Sequence, residues 1–169
     1  MNTFINDVIE SIEELNQRKN EFNGLTAWTI AVKKALIDVA EKHELAVCCK
    51  IGSEKYKHNQ NLEWLYDLIM YNNNDEIFNE VFLICESEWN PTIDEILWDF
   101  EKLLFARSKV RLMVFEVTEE NYMDYKNTLI NIIEKSNSSL NGDIYLFAIW
   151  HLNSDPDGFI VEKYIKGEQ

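Results

Sequence analysis

The chain has 169 residues, 46% hydrophobic and 27% charged, a globular composition long enough for one ordinary domain with a full core. Thirty acidic residues against sixteen basic ones leave a net charge of −14, which counts against a protein that coats nucleic acid or lies on an anionic membrane. With only five glycines and two prolines, most of the chain is expected in regular structure.

The first residues, MNTFINDVIESIEEL, are acidic and amphipathic and lack the basic and apolar segments of a signal peptide. Phe4, Ile5, Val8, Ile9, Ile12 and Leu15 recur at helical spacing and predict a helix over residues 3–20. Asn23-Gly24 breaks it. Thr26 is the expected cap of a second helix running to about His43, with Lys33 and Lys34 on its wet side. The apolar run 45–51 (LAVCCKI) predicts a strand. A polar loop over 52–61 carries Lys55, Lys57 and His58, and 62–71 (LEWLYDLIMY) predicts a second strand before an Asn-rich turn.

Val81 to Trp89 reads as the third strand. Thr92 caps a helix to about Ser108 with a stripe of Ile93, Ile96, Leu97, Phe100, Leu103 and Leu104. A strand over 110–117, a helix from Glu119 to about Lys135 capped by Thr118, an apolar strand over 144–152, a turn over 153–158 and a last strand over 159–165 complete the order. This predicts an α/β fold, a mixed central sheet flanked by helices, in one domain spanning 1–169. No apolar run is long enough to span a membrane. Cys48, Cys49 and Cys85, odd in number and without CxxC spacing, read as buried reduced thiols of a cytoplasmic protein.

The chemistry concentrates in CESEWNPTIDEILWDFEKLL. Glu86 and Glu88 share one face of a strand whose other face takes Ser87 and Trp89. Two carboxylates at the end of an apolar strand repel each other and prefer water, so the pair calls for a cation, either a metal or a nearby Lys or Arg. Asp67, embedded in WLYDLIMY, is a third acid on the preceding strand, and Lys102 follows on the next helix. Oxygen ligands of this kind suit Mg²⁺ or Mn²⁺ and suit Zn²⁺ poorly.

On these residues, and on the order α-β-β-β-α-β over roughly 26–117, the chain resembles the PD-(D/E)xK nuclease superfamily, the restriction-endonuclease-like fold. The resemblance implies a nuclease-like core over 26–117, an N-terminal helix over 1–24 and a C-terminal α-β-β extension over 118–169. It implies Asp67 and Glu86 as ligands of Mg²⁺ or Mn²⁺, with Glu88 or Lys102 assisting the attacking water in phosphodiester hydrolysis. Glu88 stands where the pattern has a lysine, and no proline precedes Asp67. Lys50, Lys55, Lys57 and His58, and the acid-free run Lys102, Arg107, Lys109, Arg111, are the candidates for a local basic groove that holds nucleic acid.

Each residue also has a plain reading. Glu86 and Glu88 stand in water at a strand end, Asp67 is a satisfied core aspartate or lies on a wet helix face, and Lys102 is the i, i+3 partner of Asp99. His43, His58 and His151 show no mutual spacing. The five tryptophans suit a core or an oligomer interface, including a homodimer, better than a base-stacking platform. The charge balance and incomplete catalytic set support a different class of function: a catalytically degenerate relative, or a small acidic binding protein of immunity or inhibitor type that neutralises a basic protein.

Overall fold

The computed structural model describes residues 1–51, 65–72, 80–152 and 158–168. Two helices lead the chain: α1 (Asn2–Glu13), continued by a 3₁₀ segment (Glu14–Glu21), and α2 (Leu25–Lys42). Then come β1 (Ala46–Cys49), β2 (Leu68–Asn72), β3 (Glu80–Glu88), α3 (Ile93–Phe105), β4 (Val110–Thr118), α4 (Tyr122–Lys135), β5 (Ile144–Leu152) and β6 (Gly158–Ile165). The strands form one mixed sheet in sequence order. β1, β2 and β3 are antiparallel neighbours, β3, β4 and β5 run parallel, and β6 returns antiparallel beside β5.

The layering follows from the connections. The crossovers β3-α3-β4 and β4-α4-β5 advance in the same direction, and crossovers of one hand place both helices on one face. There Ile96, Phe100, Leu103, Leu129 and Ile133 meet Ile84, Met113, Phe115 and Phe147. The other face is left to α1 and α2, whose Val8, Ile12, Val32, Leu36 and Val39 meet Leu68, Leu83, Cys85, Leu112 and Leu146. Covered on both sides, β4 and β5 are apolar nearly throughout rather than alternating. The three cysteines are buried free thiols, as expected.

Several boundaries differ from those expected. The first α-helix stops at Glu13, because polar residues from Asn16 onward end the apolar spacing and the chain tightens into the 3₁₀ segment. The second begins at Leu25, with Gly24 taking the left-handed conformation (φ 82°) that its missing Cβ allows. β4 runs through Thr118, since its ladder with β5 continues to Thr118 opposite Leu152. α4 therefore starts at Tyr122, and Glu119 and Glu120 lie before its first turn. Among the described residues the second strand is confined to Leu68–Asn72. Lys55, Lys57, His58 and Trp64 lie outside the described residues.

The edge at β6 is covered by the N-terminal segment. Asn16 donates its side-chain amide to the Phe159 carbonyl (3.0 Å) and accepts from the Phe159 N–H (2.6 Å), as a neighbouring strand would. Glu13 accepts from the Val161 N–H at 3.2 Å. A Cβ on Gly158 would lie 2.8 Å from the Asn16 amide carbon, so Gly158→Ala is expected to push that amide off its bonds. The loss should be about 1–2 kcal/mol in urea denaturation. Adding Gly158→Ala to Asn16→Ala should then cost almost nothing.

The tryptophans divide. Trp28 and Trp89 are buried, and with half-buried Trp150 and with Phe159 they form an aromatic cluster on the α2 face. Trp28 and Trp150 have ring centroids 4.4 Å apart. The Trp89 indole donates to Thr29 Oγ1 at 2.9 Å, which anchors the end of β3 to α2. Trp98 is exposed on α3.

Candidate functional site

The end of β3 is where the acids gather. Leu83 and Cys85 belong to the core under α1 and α2, whereas Ile84 belongs to the core under α3. Alternation therefore sends Glu86 and Glu88 to the α3 face and Ser87 to the α2 face. Asp67 immediately precedes β2, whose Leu68 pairs with Cys85, so Asp67 arrives beside Glu86 and Ser87. The approach to it passes through Leu65, a non-glycine residue with φ 55°, a conformation that costs about 1–2 kcal/mol.

Each acid has its own partners. Asp67 Oδ2 accepts from the Ser87 N–H (2.9 Å) and hydroxyl (2.7 Å). Its Oδ1 lies 3.2 Å from the Lys33 ammonium. Glu86 is 3% exposed, and its Oε1 accepts from Lys102 at 3.2 Å. Lys102 also pairs with Asp99 at 2.7 Å, so the expected i, i+3 pair exists and extends to Glu86. Glu88 Oε1 accepts the Asn90 N–H at 2.6 Å, holding that carboxylate over the turn after β3.

Burial pushes the Glu86 carboxyl up to about 7; Lys102 pulls it down and the charge of Asp67 pushes it further up. Burial lowers the Lys102 ammonium, but Asp99 and Glu86 outweigh it and the net shift is upward. Tyr66, next to Asp67, has its phenol raised by burial and then by the Glu86 charge. Glu86 thus remains short of positive charge even with a lysine against it.

Lys33 corrects an expectation. Placed on the wet side of α2 by its charge, it is buried, and its ammonium sits between Asp67 Oδ1 and the Lys50 carbonyl oxygen (3.4 Å). The signal was in the helix. Ile30, Ile37 and Ala40 stand three, four and seven residues from Lys33, so its side of α2 is apolar too. Tyr66 gave only its adjacency to Asp67.

The structure thus brings Asp67, which stands just before β2 rather than on it, beside the end of β3 that carries Glu86, and Lys102 onto Glu86. It directs Glu88 to a backbone amide. Lysines from opposite helices draw the two central carboxylates toward opposite faces of the sheet end. Among the described residues no three His, Cys, Asp or Glu side chains converge on one point suited to a metal ion.

The basic run is largely engaged in local contacts. Lys109 pairs with Glu80 (2.8 Å) and stands over the Phe82 ring. Arg111 is buried, and Arg107 is exposed. His43 pairs with Asp7 at 2.7 Å. Among the described residues no helix is long and apolar enough to cross a membrane. No protein-family model matches the chain, and neither the curated proteins nor the solved structures yield a match, so the site is read from its own chemistry.

Proposed function

We propose that the chain is a divergent protein of the restriction-endonuclease-like fold that hydrolyses phosphodiester bonds in nucleic acid with Mg²⁺ or Mn²⁺. The reading is supported by the order α2-β1-β2-β3-α3-β4, an antiparallel meander followed by a parallel strand. The observation that carries it is Glu86: a buried carboxylate raised to about 7, beside Lys102 and in the field of Asp67. Such an arrangement is expensive as scaffolding and fits a site that awaits further positive charge.

Asp67 and Glu86 offer carboxylate oxygens, the donor type a hard divalent cation takes, once they are drawn from their lysines. Bound there, the cation would polarise the phosphate and lower the pKa of a water. Asp67 and Glu86 would hold it, and Lys102 keeps the Glu86 carboxylate oriented. Ser87, bonded twice to Asp67, fixes that carboxylate against β3.

The test is cleavage of plasmid DNA, single-stranded DNA and RNA with Mn²⁺ or Mg²⁺. Glu86→Gln and Asp67→Asn are each expected to lower the rate at least a hundredfold while leaving the circular dichroism unchanged. Cleavage equal in wild type and Glu86→Gln, or none on any substrate, would overturn the reading. The balance of thirty acids against sixteen bases favours a second reading, a binding protein that captures a basic protein. Its mark is binding that weakens steeply with salt.

A further inference from the structure

The Lys33 ammonium has two hard oxygen donors among its contacts. It lies between a carboxylate oxygen at 3.2 Å and a backbone carbonyl oxygen at 3.4 Å, both hard oxygen donors. Neither contact is as short as the 2.7–2.9 Å typical of a tight charged hydrogen bond. The lysine rises from a helix otherwise buried there, next to Val32, Leu36 and Ile37, and its side chain is 6% exposed. Asp67 is the open partner, with a quarter of its side chain exposed.

We propose that Lys33 is a built-in counter-cation that competes with a divalent metal ion for Asp67. The inference rests on the metal-dependent reading above and adds how metal access is controlled. Asp67 is drawn toward α2 by Lys33, and Glu86 toward α3 by Lys102, so one ion can engage both acids only when Asp67 exchanges Lys33 for the metal. Ser87 grips the other Asp67 oxygen through two bonds, so the carboxylate stays near β3 while that exchange occurs. In the metal-free protein the ammonium supplies the counter-charge to a partly buried carboxylate whose other oxygen is bonded to Ser87. In the loaded protein it stays close by as a like charge, so metal affinity is set below what the acids alone would give. Lys33 is a positioning residue here.

The experiment is calorimetric titration with Mn²⁺ of wild type, Lys33→Met, Asp67→Asn, Glu86→Gln and the double variant Lys33→Met/Asp67→Asn. Methionine matches all but the terminal atom of the side chain, suits the apolar setting and removes the charge. Lys33→Met is expected to bind Mn²⁺ at least tenfold more tightly than wild type, and the double variant to lose that gain. A larger Mn²⁺-induced rise in melting temperature for Lys33→Met than for wild type is the same result read by stability. In case the variant fails to fold, the wild type carries its own test. Mg²⁺ added to protein with ¹⁵N-labelled lysines should shift the Lys33 Nζ resonance, and not in Asp67→Asn.

The failures separate. If wild type binds Mn²⁺ through Asp67 and Glu86 while Lys33→Met binds no more tightly, or the Lys33 resonance does not move, the competition is overturned and the metal reading stands. If no variant binds, Lys33→Met included, the metal reading falls and this inference with it.

Discussion

Glu86→Gln is expected to raise the melting temperature at pH 8 by about 5–10 °C and to leave it nearly unchanged at pH 5. The carboxyl is lifted from its ordinary value near 4.5 to about 7. Between those values the folded protein holds a proton that the unfolded chain has released. Stability therefore falls as pH rises from about 4.5 to 7, and the full penalty is present above that window. Two to three pH units correspond to roughly 3 kcal/mol, which for a chain of this size is several degrees of melting temperature. Glutamine resembles the protonated carboxyl, keeps a polar group for Lys102 and removes the penalty. A melting difference that stays constant from pH 5 to pH 8 would show that Glu86 titrates as an ordinary carboxylate. Higher stability at pH 8 together with lost cleavage would mark a site that trades stability for reactivity.

Arg111→Met is expected to cost about 3–5 kcal/mol. Arg111 is 4% exposed, and its guanidinium donates to the carbonyls of Leu103 (3.2 Å), Ala106 (2.9 Å) and Ser108 (3.4 Å). It also pairs with Asp143 at 3.2 Å and stands over the Tyr145 ring. Removal strands the carbonyls at the end of α3 and leaves Asp143 without its guanidinium. Lysine should recover only part, because a single ammonium cannot span the same fan of acceptors. Arg107→Ala, four residues earlier and exposed, should change stability by less than about 0.5 kcal/mol. Urea denaturation of the three variants measures the contrast.

These two residues also show what was legible in the sequence. The mixed α/β architecture followed from periodicity, because stripes such as Ile96-Phe100-Leu103 and unbroken runs such as 144–152 have few other solutions. The pairing of Lys102 with Asp99 was legible from spacing, and Glu86 and Glu88 were rightly placed on one face of a strand. What periodicity does not carry is the destination of a long charged side chain. Arg111 reads as one more base of a run that could line a groove, yet it folds back on the loop before its own strand. Lys33 reads as the wet side of α2, yet its stem lies in the core and its charge crosses to Asp67. Glu88 reads as the twin of Glu86, yet the turn at Asn90 takes its carboxylate. In each case a partner distant in sequence, or a backbone group with no side-chain signature, decides the outcome.

The strictly sequential strand order bears on how the molecule is made. As the chain is synthesised, every new strand finds its neighbour already present, and no later strand has to be inserted between earlier ones. The exception is the N-terminal segment, whose Asn16 amide waits for Phe159, 143 positions later. A segment made before every strand of the sheet is therefore among the last to be satisfied. A nascent chain halted before β6 presents β5 as an open edge beside an unengaged amide. Completion of the sheet at β6 and engagement of the N-terminal segment become a single event.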